Sequence, residues 1–135
     1  MHVRRKDYMA YGWAASFSYY QSALDRQNFK RLVLVTDDPQ DPFFLRFRSY
    51  RPIFFKGNAL ESFAFMARAN KLVISQSSFS WWAAFLSEAE SVVMPSSVLA
   101  FGPSRMWISR LMMNRGSRSW KPLSPTDLVA WKSSI

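Results

Sequence analysis

Leu72-Val73-Ile74-Ser75-Gln76-Ser77-Ser78-Phe79-Ser80-Trp81-Trp82-Ala83-Ala84-Phe85-Leu86 decides the fold. It begins with apolar, largely β-branched residues, breaks into serines, and resumes as an apolar run. Residues 72–75 therefore read as a strand and residues 78–86 as a helix. That helix is apolar nearly all round, which predicts a central, buried place for it and for Trp81 and Trp82. The same alternation runs outward on both sides. Trp13, Phe17, Tyr20 and Leu24 recur at helical spacing, so residues 13–27 read as a helix. Residues 32–35 are a β-branched run that stops at Thr36-Asp37-Asp38-Pro39, a strand closed by a turn. A short helix is expected over residues 42–47 and a strand over residues 52–55. Leu60, Phe63, Ala64 and Ala67 mark one face of a further helix, and residues 92–94 a strand closed by Pro95. Ser124 or Thr126 would cap a last helix over residues 127–132. Short strands alternating with helices predict an α/β fold, a Rossmann-like parallel sheet with helices on both faces.

In such sheets ligands bind beyond the carboxyl ends of the strands. Three polar clusters fall at those ends: residues 2–7, 36–38 and 75–80. His2-Val3-Arg4-Arg5 would itself close a strand, yet only Met1 precedes it, so the first strand reads as missing and the chain as starting in mid-fold.

The bulk properties narrow the function. The chain has 135 residues, which reads as one domain, and 49% hydrophobic residues with 20% charged, an ordinary globular mix. There is no cysteine and one histidine, which excludes a disulfide scaffold, a cysteine nucleophile and a histidine metal cluster. The amino terminus lacks the apolar core of a secretory signal. The longest uncharged, apolar-leaning run, residues 72–87, falls short of the roughly 20 apolar residues that span a bilayer. A cytoplasmic setting is expected. Lys and Arg number 18 against 9 Asp and Glu, a net charge of +9, which favours an anionic partner. The excess sits at the ends: Arg4, Arg5 and Lys6, then Arg105, Arg110, Arg115, Arg118, Lys121 and Lys132 against Asp127 alone. The basic tail reads as a solvated face, or one that faces anionic lipid in a peripheral contact or a missing partner segment. No recognised nucleic-acid motif accompanies it, so nucleic acid is not expected as a partner.

Each polar cluster has a binding reading and a plainer one. Two arginines followed by Asp7 suit a diphosphate, because a guanidinium grips phosphate oxygens with two parallel bonds and a carboxylate can fix its rotamer. Along a strand Arg4 and Arg5 point to opposite sides, so only one faces a ligand. The plainer reading is a flexible basic terminus. Asp37 and Asp38 can accept from a ribose hydroxyl or a guanine N–H pair; they also suit a turn and helix cap. The serines can donate to an anion at a helix amino terminus, or Ser77 or Ser78 can simply cap the helix. Few other acids lie near, so a magnesium cage is not favoured.

The order H-x-R-R-x-D-Y, then Tyr19-Tyr20 with Ala23, then T-D-D-P, then I-S-Q-S-S-F-S-W-W-A-A-F-L resembles the bacterial α1,2-fucosyltransferase family, glycosyltransferase family 11. The likeness runs from His2 to about Pro95. Lys6 stands where the family commonly has glycine, Gln76 where it has asparagine, and Phe85 where it has tryptophan. The resemblance implies the nucleotide-binding half of a GT-B-like fold with GDP-fucose as co-substrate and neither metal nor further cofactor. It implies inverting transfer of L-fucose to a glycan hydroxyl, commonly the 2-OH of galactose. By the same likeness Arg4 is the catalytic contact to the donor diphosphate, Asp7 holds Arg4, and His2 lines the nucleotide site. Asp37 or Asp38 reads guanine or ribose, and Ser77, Ser78 and Ser80 contact phosphate or cap the helix. A positive group there would offset the charge that builds on departing GDP. The family's preceding acceptor-side domain is expected to be absent from residues 1–135. The alternative is a truncated, non-catalytic nucleotide-binding remnant.

Overall fold

The computed structural model describes residues 1–95. The basic tail, its expected membrane contact and the expected helix over residues 127–132 lie outside the described residues. In chain order the elements are β1 (His2–Val3), α1 (Lys6–Ala10), α2 (Phe17–Asp25), β2 (Val33–Thr36), a 3₁₀ helix (Pro42–Tyr50), β3 (Ile53–Phe54), α3 (Ala59–Ala67), β4 (Lys71–Val73), α4 (Ser78–Phe85) and β5 (Ser91–Val93). Every strand pair is parallel, as helical crossovers require. One sheet has the order β1-β2-β3, the other pairs β4 with β5. His2 lies opposite Val35, Val33 opposite Ile53, and Leu72 opposite Val92.

Strand alternation sorts the core into two clusters. Leu34 packs with Val3, Tyr20, Leu24, Phe44 and Phe47, beneath α2 and the 3₁₀ helix. Its neighbour Val35 points the other way, to Met66, Leu72, Ile74, Ala83 and Ala84 beneath α3 and α4. Val73 belongs to the first cluster while Leu72 and Ile74 belong to the second, so β4 shares the layer of β2. The α/β expectation holds: one layer of parallel strands carries helices on both faces. β1, expected to be missing, is present as a two-residue stub that pairs with β2.

Local chemistry explains where the helices begin. The first long helix starts at Phe17, four residues later than its apolar spacing suggests. Gly12 takes φ 66°, and the Trp13 and Ala14 N–H groups both donate to the Tyr8 carbonyl, closing a turn after α1. Ser16 then caps α2 by accepting from the Tyr19 N–H. Asn58 and Glu61 form a reciprocal capping box on α3. The buried face of α3 centres on Met66, whereas Leu60 and Ala64 are exposed.

The expectation for α4 is corrected. Its buried residues are Ser80, Ala83 and Ala84. Trp82 is 52% exposed and Phe85 40%, while Trp81 is half-buried, so neither tryptophan is core. Small side chains let α4 approach α3 and the sheet closely, and the aromatic ridge turns outward. An all-apolar helix has no polar face to orient it, so periodicity cannot tell which side is buried.

Candidate functional site

Beyond the carboxyl end of β1 the two arginines differ in burial and in partners. Arg5 is buried. Its Nε donates to Asp41 Oδ2 at 2.7 Å, and its guanidinium carbon lies 4.1 Å from the centre of the Phe43 ring. That hydrogen bond holds the Asp41 carboxyl below its ordinary range. Arg5 is therefore a structural cation. Asp41 also caps the 3₁₀ helix, its Oδ1 accepting from the Phe43 N–H, and nothing local in the sequence marks it as the partner of an arginine 36 positions away.

Arg4 is half-exposed and held between two carboxylates. Its Nε donates to Asp7 Oδ1 at 3.0 Å, and Nη2 lies 3.0 Å from the same oxygen. The Asp7 bond raises the already high guanidinium pKa and lowers that of Asp7. On the other side Asp37 Oδ2 sits 3.3 Å from Arg4 Nε, an ion-pair distance without hydrogen-bond alignment. Asp37 Oδ1 accepts from the Arg5 N–H at 2.9 Å. Asp37 thus straps the β1 end to the β2 end. Nε is the only Arg4 atom that donates among the described residues, so most of the five donors of the fork stay available. Tyr8 lies beneath it, with its ring centre 5.6 Å from the guanidinium carbon, and Tyr8 packs edge-on against the exposed Trp13.

His2 is placed differently from an open site residue. It is 4% exposed, its Nδ1 lies 2.8 Å from Ser75 Oγ, and its ring tilts against Phe79. Burial, followed by the charge on the chain amine, pushes its pKa down to about 4, so the ring is neutral near pH 7. This hydrogen bond joins β1 to the loop after β4 and brings the serine loop beside the arginines. Tyr19 reinforces the junction: its hydroxyl lies 2.7 Å from the Ile74 carbonyl and 3.1 Å from that of Val93. Tyr19 carried no site signal in the sequence because its partners are main-chain carbonyls more than fifty residues away.

The serines divide by burial. Ser80 is fully buried, and its Oγ donates within the loop, where the Ser77 and Ser75 carbonyls lie at 3.1 and 3.3 Å. It shapes the loop and is closed to a ligand in this geometry. Ser77 occupies the cap position of α4 but makes no side-chain cap bond, unlike Ser16 on α2 and Asn58 on α3. The first intrahelical bond of α4 runs from the Trp81 N–H to the Ser77 carbonyl. Ser78 beside it is exposed, and a helix amino terminus of this kind suits an anion. Asp38 forms no ion pair among the described residues and stands half-buried past β2, its N–H donating to Thr36 Oγ1. Among the described residues no three His, Asp or Glu side chains converge as a metal site would require. None of the described helices is long and apolar enough to cross a membrane.

The site thus combines a carboxylate-clamped guanidinium, an uncapped helix amino terminus and a carboxylate at one end of a parallel sheet. No curated protein and no solved structure matches the chain significantly. The family model described as glycosyl transferase family 11 matches residues 1–100, which contain every element described above. With the match covering most of its length, the chain belongs to glycosyl transferase family 11.

Proposed function

We propose that residues 1–95 form the donor side of a fucosyltransferase that uses GDP-fucose. The observation that carries this reading is Arg4: half-exposed, fixed by Asp7 and Asp37, and set at the strand ends beside an uncapped helix. Family membership supports fucosyl transfer in general, and this geometry supports the donor assignment. Arg4 would bind the diphosphate with its free donors, and the first turn of α4 with Ser78 would take further phosphate oxygens. Asp38 is the better reader of guanine or ribose, since Asp37 is committed to Arg4 and the Arg5 N–H.

In the reaction the acceptor hydroxyl oxygen bonds to the anomeric carbon of fucose from the face opposite the leaving group. The bond from that carbon to the β-phosphate oxygen breaks, GDP departs with the electron pair, and the acceptor proton is released. Configuration inverts. Negative charge grows on the diphosphate, where a guanidinium already held in place requires little reorganisation. The proposed acceptor position is the 2-OH of a terminal galactose.

Thermal unfolding with and without GDP tests the reading. GDP at about 100 times its Kd should stabilise the chain by about 2.7 kcal/mol. Arg4→Ala should abolish that shift while leaving the unliganded Tm nearly unchanged, because Arg4 is half-exposed. A cooperatively folding chain that GDP does not shift would overturn the donor reading. A GDP shift with no transfer of labelled fucose to galactosides would favour the non-catalytic remnant.

A further inference from the structure

Three aromatic rings stand in a row beside Arg4. α1 buries none of its residues, and the turn after it carries Tyr11, 62% exposed, and Trp13, 39% exposed. The Tyr8 ring centre lies 5.6 Å from the Arg4 guanidinium carbon. Trp13 meets Tyr8 edge-on at 5.8 Å, and Tyr11 lies against Trp13 at 5.0 Å with their planes 34° apart. Ring contact therefore runs from Arg4 to Tyr8, then Trp13, then Tyr11. None of the three belongs to either core cluster. The main chain fixes them instead: the Trp13 and Ala14 N–H groups donate to the Tyr8 carbonyl, and the Tyr11 N–H to the Asp7 carbonyl. At the turn itself nothing lies within 4 Å of where a side chain on Gly12 would stand, so its outer side is open. Contiguous aromatic surface held in water at the edge of a site marks a ligand groove.

We propose that Trp13 and Tyr11, joined to Arg4 through Tyr8, form the platform on which a galactoside acceptor stacks, an inference that rests on the donor reading of Arg4. Placement is the first argument. Arg4 stands between Asp7 on α1 and Asp37 at the end of β2. Asp38, the proposed reader of guanine or ribose, belongs to the β2 side, and the three rings belong to the α1 side. A diphosphate on Arg4 then sends its nucleoside toward β2 and its fucose toward α1. Attack opposite the leaving group puts the acceptor beyond fucose, farther along the row of rings. Chemistry is the second argument. In a β-galactoside the C–H bonds of ring carbons 3, 4 and 5 lie on one face, because the 4-hydroxyl is axial. That apolar face packs on an aromatic ring, and the equatorial 2-hydroxyl stays free at the rim. The phenol and indole also offer polar tips to the sugar hydroxyls. Rings already fixed by main-chain bonds lose little freedom when the sugar binds.

Saturation-transfer NMR of methyl β-galactoside with the full chain, with and without GDP, tests the platform. Saturation should be strongest at the protons of ring carbons 3, 4 and 5, and methyl β-glucoside, whose C4–H lies on the other face, should give a weaker signal. Trp13→Ala should cut the galactoside signal at least about fivefold, and Trp13→Phe should restore part of it. Should Trp13→Ala fail to fold, Tyr11→Ala, at the most exposed of the three rings, carries the same comparison. Loss of the galactoside signal with the GDP-induced rise in Tm retained supports the platform. No galactoside signal from the unaltered chain, an equal signal after Trp13→Ala, or equal signals from the two sugars overturns it. A GDP shift lost in Trp13→Ala with the galactoside signal undiminished assigns the rings to guanine and also overturns it. Failure of the donor reading shows separately, as the absence of a GDP shift in the unaltered chain, and the galactoside signal without GDP then decides the platform by itself.

Discussion

Arg4 and Arg5 are adjacent and chemically alike, and the fold gives them opposite tasks. Arg5 is desolvated over Phe43 and neutralised by Asp41; Arg4 keeps donors for a ligand. Removing either partner of a buried pair leaves the other charge uncompensated. Arg5→Ala should therefore cost about 3 kcal/mol in urea unfolding, where Arg4→Ala costs less than about 1. The Arg5–Asp41 pair also has a defined pH dependence. Asp41 titrates below its unfolded value, so the stability it contributes is complete above the ordinary carboxylate range and is lost as pH falls through its lowered pKa. Asp41→Asn should flatten that acid limb of a Tm–pH curve. Tyr20 makes a converse case. Its hydroxyl is buried without a hydrogen-bond partner among the described residues. Tyr20→Phe should leave stability unchanged or raise it by about 1 kcal/mol. A loss of more than that would mean the hydroxyl has a partner in solution.

At the scale of elements, caps separate scaffold from site. Ser16 satisfies a donor at the start of α2, so Ser16→Ala should cost about 1 kcal/mol. Ser77 holds the same formal position on α4 without a cap bond, so Ser77→Ala should change stability by less than about 0.5 kcal/mol. Chemical denaturation of the two variants side by side checks this, and equal losses would count against an open α4 terminus. The element-level reading of the sequence succeeded where pattern and punctuation agreed, as in β2, which ends at Thr36, and β4, which precedes the serine loop. It missed α1, whose five residues carry no apolar stripe, and the true start of α2, which depends on a turn closed by the Tyr8 carbonyl.

For the whole molecule, the buried end of β1 couples folding to pH. The Met1 amine falls from an ordinary value near 8 to about 5 and His2 from 6.5 to about 4, both chiefly through burial. Each group is neutral in the folded state over a range where the unfolded chain binds a proton. Stability from these groups is complete above about pH 8 and declines as pH falls, the amine acting down to about pH 5 and His2 from about 6.5 to 4. Tm should therefore drop steadily between pH 8 and pH 5. Acetylating the amine removes its charge and should abolish most of that slope above pH 6.5, leaving the His2 part below. A slope unaffected by acetylation would place the titration elsewhere.

The amino-acid sequence by itself determined the α/β class, the three polar clusters at strand ends and the order of motifs that marks the family. These follow from local periodicity, turn chemistry and residue type, which neighbours in the chain suffice to define. Only the tertiary structure decided which arginine faces outward, that Asp37 is a strap and Asp38 is not, and that Ser80 is sealed while α4 remains uncapped. It also decided that His2 is a buried link to Ser75 and that Trp82 faces outward. Each of those assignments depends on a partner or a neighbour far away in sequence, and strand or helix periodicity carries no information about what lies opposite.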